Sequence, residues 1–183
     1  MLSPNKTLQS ITMTTHEERE DVQTMIMKEL LENEIKTKRL DLTYNSPFAE
    51  EFLKQQLKSE ALNTLNLSGD WKLREEDLLN FICSSHCASV NISDSPRFNI
   101  NFFKQIVSYW TSMPTSRKYY SVMVNTAGDL NEEFSSWMSL NEEKTSTSCN
   151  GQVYDLKIEG ASVTACCREN TCTLIYQGYY SQF

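Results

Sequence analysis

Metal ligation is the first chemistry to weigh. Cys83-Ser-Ser-His86-Cys87 places two thiols and an imidazole within five residues, and Cys166, Cys167 and Cys172 add further soft donors. Zinc takes four such ligands in a tetrahedron. The spacing is not that of a common zinc finger. Cys83 ends a predicted helix, and Cys87 falls on the inward column that Thr37 and Leu62 occupy earlier in the chain. Free cysteine packs readily as a small hydrophobe, so buried thiols are the expectation and no metal or other cofactor is assigned. The alternative is a zinc-binding or cysteine-dependent protein using Cys83, His86 and Cys87. A nucleophilic pair of Cys87 with His86 is disfavoured, because adjacent residues on an extended chain point to opposite faces.

Acid–base chemistry finds little support. The chain has two histidines, and His16 stands at the start of a predicted helix as a solvated residue. The carboxylate pairs Glu50-Glu51, Glu75-Glu76, Glu132-Glu133 and Glu142-Glu143 are sequence neighbours on or just after predicted helices, which reads as solvated surface. No phosphate-binding glycine loop, Gly-x-Ser-x-Gly or His-Glu-x-x-His occurs. A non-enzymatic protein is therefore expected. Formal charge is −7, and the basic residues cluster only at Lys36, Lys38 and Arg39, so nucleic acid is not an expected partner. No apolar run is long enough to cross a bilayer, so no membrane association is expected. Met1 to Thr15 lacks the charge and hydropathy pattern of a secretory signal. The six cysteines then read as free thiols, and the location as intracellular, cytoplasmic or nuclear. The sequons at Asn5, Asn66 and Asn91 carry no weight without secretion, and the last two lie inside predicted strands.

The candidate binding residues are instead short and polar, and they recur. Leu40-Asp41-Leu42, Leu65-Asn66-Leu67 and Val90-Asn91-Ile92 are spaced 25 residues apart. If each triplet is a strand, residues that alternate with the apolar ones face away from the core. Three outward columns result: Arg39/Thr64/Ser89, Asp41/Asn66/Asn91 and Thr43/Ser68/Ser93. All nine residues are polar. Asn and Asp are poor strand formers, so a column of them invites a binding role. Solenoid proteins use such a concave sheet face to hold a partner. An unidentified protein partner on these nine residues is the expectation.

The elements that position them follow from the same period. The full pattern, Thr37-x-x-Leu40-x-Leu42-x-x-Asn45 and its two echoes, is close to the leucine-rich-repeat template. The register extends into helices: Phe48/Leu73/Phe98, Leu53/Leu78/Phe103 and Leu57/Ile82/Val107 form apolar columns. The fold expected is α/β, a leucine-rich-repeat-like stack of about four βα units with parallel strands. An N-terminal capping helix and a C-terminal antiparallel β meander complete it.

Along the chain, 1–15 reads as a flexible arm and 16–38 as the capping helix. That helix starts from a Thr15/Glu18 capping box and turns Val22, Met25, Ile26, Leu30 and Leu31 inward. Residues 39–140 form the repeat domain, with helices at Phe48–Ser59, Lys72–Ser84, Phe98–Trp110 and Leu130–Leu140. Met113-Pro114-Thr115 breaks the phase, and the fourth strand, Tyr120–Val124, arrives seven residues late. Residues 141–151 read as a polar loop, 152–177 as a meander of three strands packed on the repeat domain, and 178–183 as an aromatic tail.

Pro47-Phe48-x-Glu50-x-Phe52-Leu53-Lys54-x-Gln56-Leu57-Lys58-Ser59, followed by Leu65-x-Leu67-Ser68-Gly69-Asp70-Trp71, resembles a nematode-expanded family described as F-box-associated. Tyr154-Asp155-Leu156-Lys157-x-x-Gly160 is similar to the end of its type-2 region. The resemblance spans roughly Leu40 to Tyr176. It implies leucine-rich-repeat-like βα units with a terminal β element, a substrate-recognition role, and an indirect link to a Skp1-cullin ubiquitin ligase. One amphipathic helix and no Leu-Pro start precede Leu40, so no F-box is recognisable and direct Skp1 binding is not expected.

Overall fold

The 25-residue spacing is realised as strand register. β2 (Lys36–Thr43), β3 (Thr64–Ser68) and β4 (Ser89–Ile92) run parallel, with Leu40 beside Leu65 and Leu65 beside Val90. Each strand returns to the same end because a helix intervenes: α2 (Pro47–Leu57) after β2 and α3 (Glu75–Ile82) after β3. The computed structural model describes residues 6–14, 20–44, 46–84, 86–94, 96–113, 119–127, 130–139, 144–148, 151–158, 161–168 and 170–178. The chain is α/β, with both parallel and antiparallel strand pairs. It forms two compact units, Met1–Pro96 and Arg97–Phe183. No described helix is long and apolar enough to cross a membrane.

The first unit also contains β1 (Thr7–Met13) and α1 (Glu20–Glu32), and its strands lie in the order β1-β2-β3-β4. The expected arm of 1–15 therefore holds a strand. β1 pairs in parallel with β2, Ile11 beside Leu40 and Thr12 beside Asp41. Only Ile11 of β1 is buried, so the segment lacks the alternation that marks a strand in sequence. Its backbone is recruited by the open edge of β2, where tertiary pairing overrides weak local preference.

The helix expected over 16–38 is shorter, and 36–38 belong to β2. Its inward face also differs. Met27, Leu30 and the following Ile35 are buried, while Val22, Met25 and Ile26 are 49%, 65% and 42% exposed. The cause is topological. With β1 before it and β2 after it, α1 connects two neighbouring parallel strands and packs alongside α2, rather than closing the end of a stack. The sequence carries two apolar stripes on this helix, and the crossover selects the one through Met27.

α2 shows why local signals hold. Ser46 caps it by accepting from the Ala49 amide at 3.3 Å, and Pro47 occupies the first turn. Ala49, Phe52, Leu53, Gln56 and Leu57 then face inward at helical spacing. Phe48, expected in a buried column, is exposed at the helix start. The columns Leu40/Leu65/Val90, Leu42/Leu67/Ile92, Leu53/Leu78/Phe103 and Leu57/Ile82/Val107 are buried throughout. α3 starts at Glu75, later than the expected Lys72.

The second unit holds α4 (Ile100–Ser112), β5 (Tyr119–Asn125), α5 (Asn131–Ser139), β6 (Lys144–Ser148), β7 (Gly151–Ile158), β8 (Ala161–Arg168) and β9 (Thr171–Gly178). Asn99 caps α4 through the Asn101 amide at 2.9 Å. The strands lie in the order β5-β9-β8-β7-β6, and every pair is antiparallel. β5 is a strand, as expected, and it pairs antiparallel with β9 along its whole length. One expectation changes here. The polar loop of 141–151 contains β6, whose β-branched threonines suit a strand paired to β7. The meander thus has four strands, and β5 adds a fifth. The Thr15/Glu18 capping box, His16, the Pro114-Thr115 break and the tail beyond Gly178 lie outside the described residues.

Candidate functional site

The outward face of the first unit's sheet is built by backbone pairing alone. Register places Arg39 beside Thr64 and Thr64 beside Ser89, Asp41 beside Asn66 and Asn66 beside Asn91, and Thr43 beside Ser68. Ser93 follows β4 and donates from its backbone amide and hydroxyl to the Leu67 carbonyl at 3.0 and 3.3 Å. Eight of the nine expected residues are thereby gathered by register and the ninth by hydrogen bond. Arg39 and Ser93 are exposed, and the other seven are half-buried. Parallel pairing holds neighbours within each row about 4.8 Å apart.

The rows are joined by side chains as well. Asp41 is the centre. Its Oδ2 accepts from Arg39 Nε at 2.9 Å and from Thr12 Oγ1 at 3.2 Å, and its Oδ1 accepts from Asn66 Nδ2. Burial alone would push the Asp41 carboxyl up. The hydrogen bonds from Arg39, Asn66 and Thr12, with the Arg39 charge, outweigh burial and hold it below the usual carboxylate range. Thr43 and Ser68 share a hydroxyl–hydroxyl bond of 2.9 Å. Asn91, the third member of the central column, makes no side-chain hydrogen bond among the described residues.

Sequence reasoning missed a fourth member in two of the three rows. β1 contributes Ser10 beside Arg39 and Thr12 beside Asp41. The only signal was the isolated Ile11 between polar residues, too short to mark a strand. It also missed the rim at the C-terminal ends of the strands, where open α/β sheets commonly place ligands. There Tyr44 meets Trp71 edge-on, with ring centroids 5.2 Å apart, and Trp71 Nε1 donates to the Ser68 carbonyl at 2.8 Å. Gly69 has φ +93°, and a Cβ there would lie 3.2 Å from Tyr44 Cβ. Its amide donates to Asp94 Oδ2 at 2.9 Å. Asp94 itself has φ 76°, in the left-handed region.

The cysteine cluster is arranged differently. Burial pushes the Cys83 thiol up to about 11 and, with the neighbouring Cys83, the Cys87 thiol up to about 12. Both therefore favour the neutral thiol, whereas zinc binding and nucleophilic attack use the thiolate. The His86 ring lies against Phe81, centroids 6.2 Å apart. Cys167 and Cys172 face each other across β8 and β9 with sulfurs 3.4 Å apart. Among the described residues, no three His, Cys, Asp or Glu side chains are grouped so as to hold a metal ion.

The sheet face offers hydroxyls, amides and one carboxylate–guanidinium pair in fixed rows. That arrangement suits hydrogen-bonded recognition of an extended polar surface. Compared with known proteins, the chain matches no family model, no curated protein and no solved structure.

Proposed function

We propose that this chain is a non-enzymatic protein-interaction module whose leucine-rich-repeat-like βα units present the outward sheet face to a protein partner. The observation that carries the reading is the central row Thr12–Asp41–Asn66–Asn91, four polar side chains aligned by parallel register. Asp41 ties three of its neighbours, so the row is organised before any partner arrives. Preorganised side chains lose less entropy on binding. The Asp41 carboxyl is held ionised, the opposite of the raised value a general base near neutrality needs, which supports recognition over acid–base catalysis. The resemblance to F-box-associated proteins extends the reading to substrate recognition with an indirect link to a Skp1-cullin ubiquitin ligase.

The test is quantitative affinity capture from native extract with the full chain and with Asn91→Arg. Asn91 is half-buried on the outward face and makes no side-chain hydrogen bond among the described residues, so the variant is expected to keep the fold while blocking the row. The expected result is a specific set of proteins lost from the variant at unchanged melting temperature, with cullin-ligase subunits among those recovered by the wild type. Identical recovery by both chains would overturn the sheet-face reading. Absence of ligase subunits from an otherwise specific set would remove the ligase link alone.

A further inference from the structure

The side of the first unit opposite the polar sheet face carries a second feature. A cleft of about 600 Å³ opens between α2 and α3. Lys54 of α2 and its C-cap Lys58, the α3 N-cap Arg74 with Asp77 and Asn80 of α3, and His86 from the turn beyond line it. Leu57 supplies a buried apolar floor. Three permanent cations thus face one carboxylate in a chain of net charge −7. Lys54 in the last turn of α2 and Lys58 at its C-cap stand about one helical turn apart.

Arg74 is held ready rather than left loose. Its Nε and Nη2 donate to the two carboxylate oxygens of Asp77 at 2.8 and 2.7 Å. The Arg74 side chain is 70% exposed, and an ion pair so exposed adds little to stability. The fork fixes the guanidinium plane and leaves its remaining N–H groups directed away from Asp77. The hydrogen bond from Arg74 holds the Asp77 carboxyl below its usual range despite burial, and the charges of Arg74, Lys58 and Lys54 add to that, so the lysines' field converges on this spot. On the outer flank Lys54 also meets Glu50 at 2.7 Å, whereas Lys58 makes no ion pair among the described residues. Asn80 and His86 add further hydrogen-bond donors at the mouth.

We infer that this cleft binds an anionic side chain of an acidic peptide segment, carboxylate or phosphate, with Arg74 and Lys58 as the anchoring cations. The cleft is large enough for one such side chain and its backbone, and it lies away from the sheet-face columns. It does not rest on the sheet-face reading, and charge complementarity alone selects its occupant.

Fluorescence anisotropy on the full chain tests it with three labelled peptides of one length: one rich in Asp and Glu, one carrying a phosphoserine, and one with Asn and Gln in place of the acids. Binding of the acidic or phosphorylated peptide is expected to exceed that of the neutral one by about tenfold and to weaken as salt rises. The ratio between those two arms tells carboxylate from phosphate. Lys58→Glu, at an exposed position, is expected to reduce the affinity about tenfold at unchanged melting temperature, and Asn91→Arg to leave it unchanged. Equal affinity for acidic and neutral peptides overturns the inference. So does an unaltered affinity in Lys58→Glu, or displacement of the peptide by single-stranded RNA at equal charge concentration.

Discussion

Replacing Gln56 by Leu should damage the fold far more than the same change at Gln55, although the two are adjacent on α2. Gln56 is fully buried. Its Nε2 donates to the Ile35 carbonyl at 2.7 Å, and its Oε1 accepts from the Thr37 amide at 3.1 Å. One side chain thus satisfies both a donor and an acceptor of the backbone where α1 gives way to β2. Leucine has nearly the same volume and meets neither. Each buried group left unpaired costs about 1–3 kcal/mol, and no longer desolvating the glutamine amide offsets part of the sum, so a loss of about 3 kcal/mol is expected. For a chain of this size that corresponds to a fall in melting temperature of about 6–12 °C.

Gln55 supplies the control, because its Oε1 is buried with no hydrogen-bond partner among the described residues. Gln55→Leu removes an unmet polar atom and should lie within about 0.5 kcal/mol of the wild type, or be more stable. Urea unfolding followed by circular dichroism measures both variants. Hydrogen exchange across Ile35–Thr37 localises the effect: protection should drop in Gln56→Leu alone. Coincident unfolding midpoints for the two variants would refute the reasoning, as would unchanged exchange at Thr37.

Three further outcomes follow from the same geometry. Because its folded carboxyl is held low, Asp41 contributes stability that is complete above the unfolded value of about 3.9 and is lost as pH falls through the lower folded one. Asp41→Asn should therefore flatten the acid limb of a stability–pH profile and cost about 1 kcal/mol at neutral pH; a limb as steep as the wild type's would contradict this. Gly69→Ala should destabilise by about 1–2 kcal/mol, since alanine at φ +93° is strained and its Cβ would press on Tyr44; a neutral result in chemical denaturation would show that the turn relaxes freely. Cys87, buried and with its thiol pushed up to about 12, should react with iodoacetamide at neutral pH only on unfolding; rapid alkylation of the native chain, read by mass spectrometry, would restore the reactive-cysteine alternative.

Periodic features were legible in the sequence because they depend on local geometry. Alternation at Leu40-Asp41-Leu42 states which side chains share a face, and repetition at Leu65 and Val90 states that the strands stand in register. The capping of α2 by Ser46 and Pro47 was readable for the same reason. The nine outward residues followed from that period. The cationic cleft did not, because Lys54, Lys58, Arg74 and His86 are dispersed over two helices and a turn and meet only when α2 and α3 pack. β1 was invisible because its polar residues bury almost nothing that a hydropathy pattern records, and β6 because Lys144–Ser148 contains no apolar residue to show an alternation; strand–strand pairing holds both.

The amino-acid sequence by itself determined the repeating βα units, their inward columns and the polar rows opposite. Tertiary structure alone decided that β1 closes the parallel edge, that α1 buries Met27 and exposes Val22, Met25 and Ile26, and that β5 pairs antiparallel with β9. The physical reason is the range of the interactions. A side-chain period is set by residues within one turn or one pleat. Which edge accepts a strand, and which of two apolar stripes is buried, depends on backbone groups and surfaces that come together only after the chain has folded.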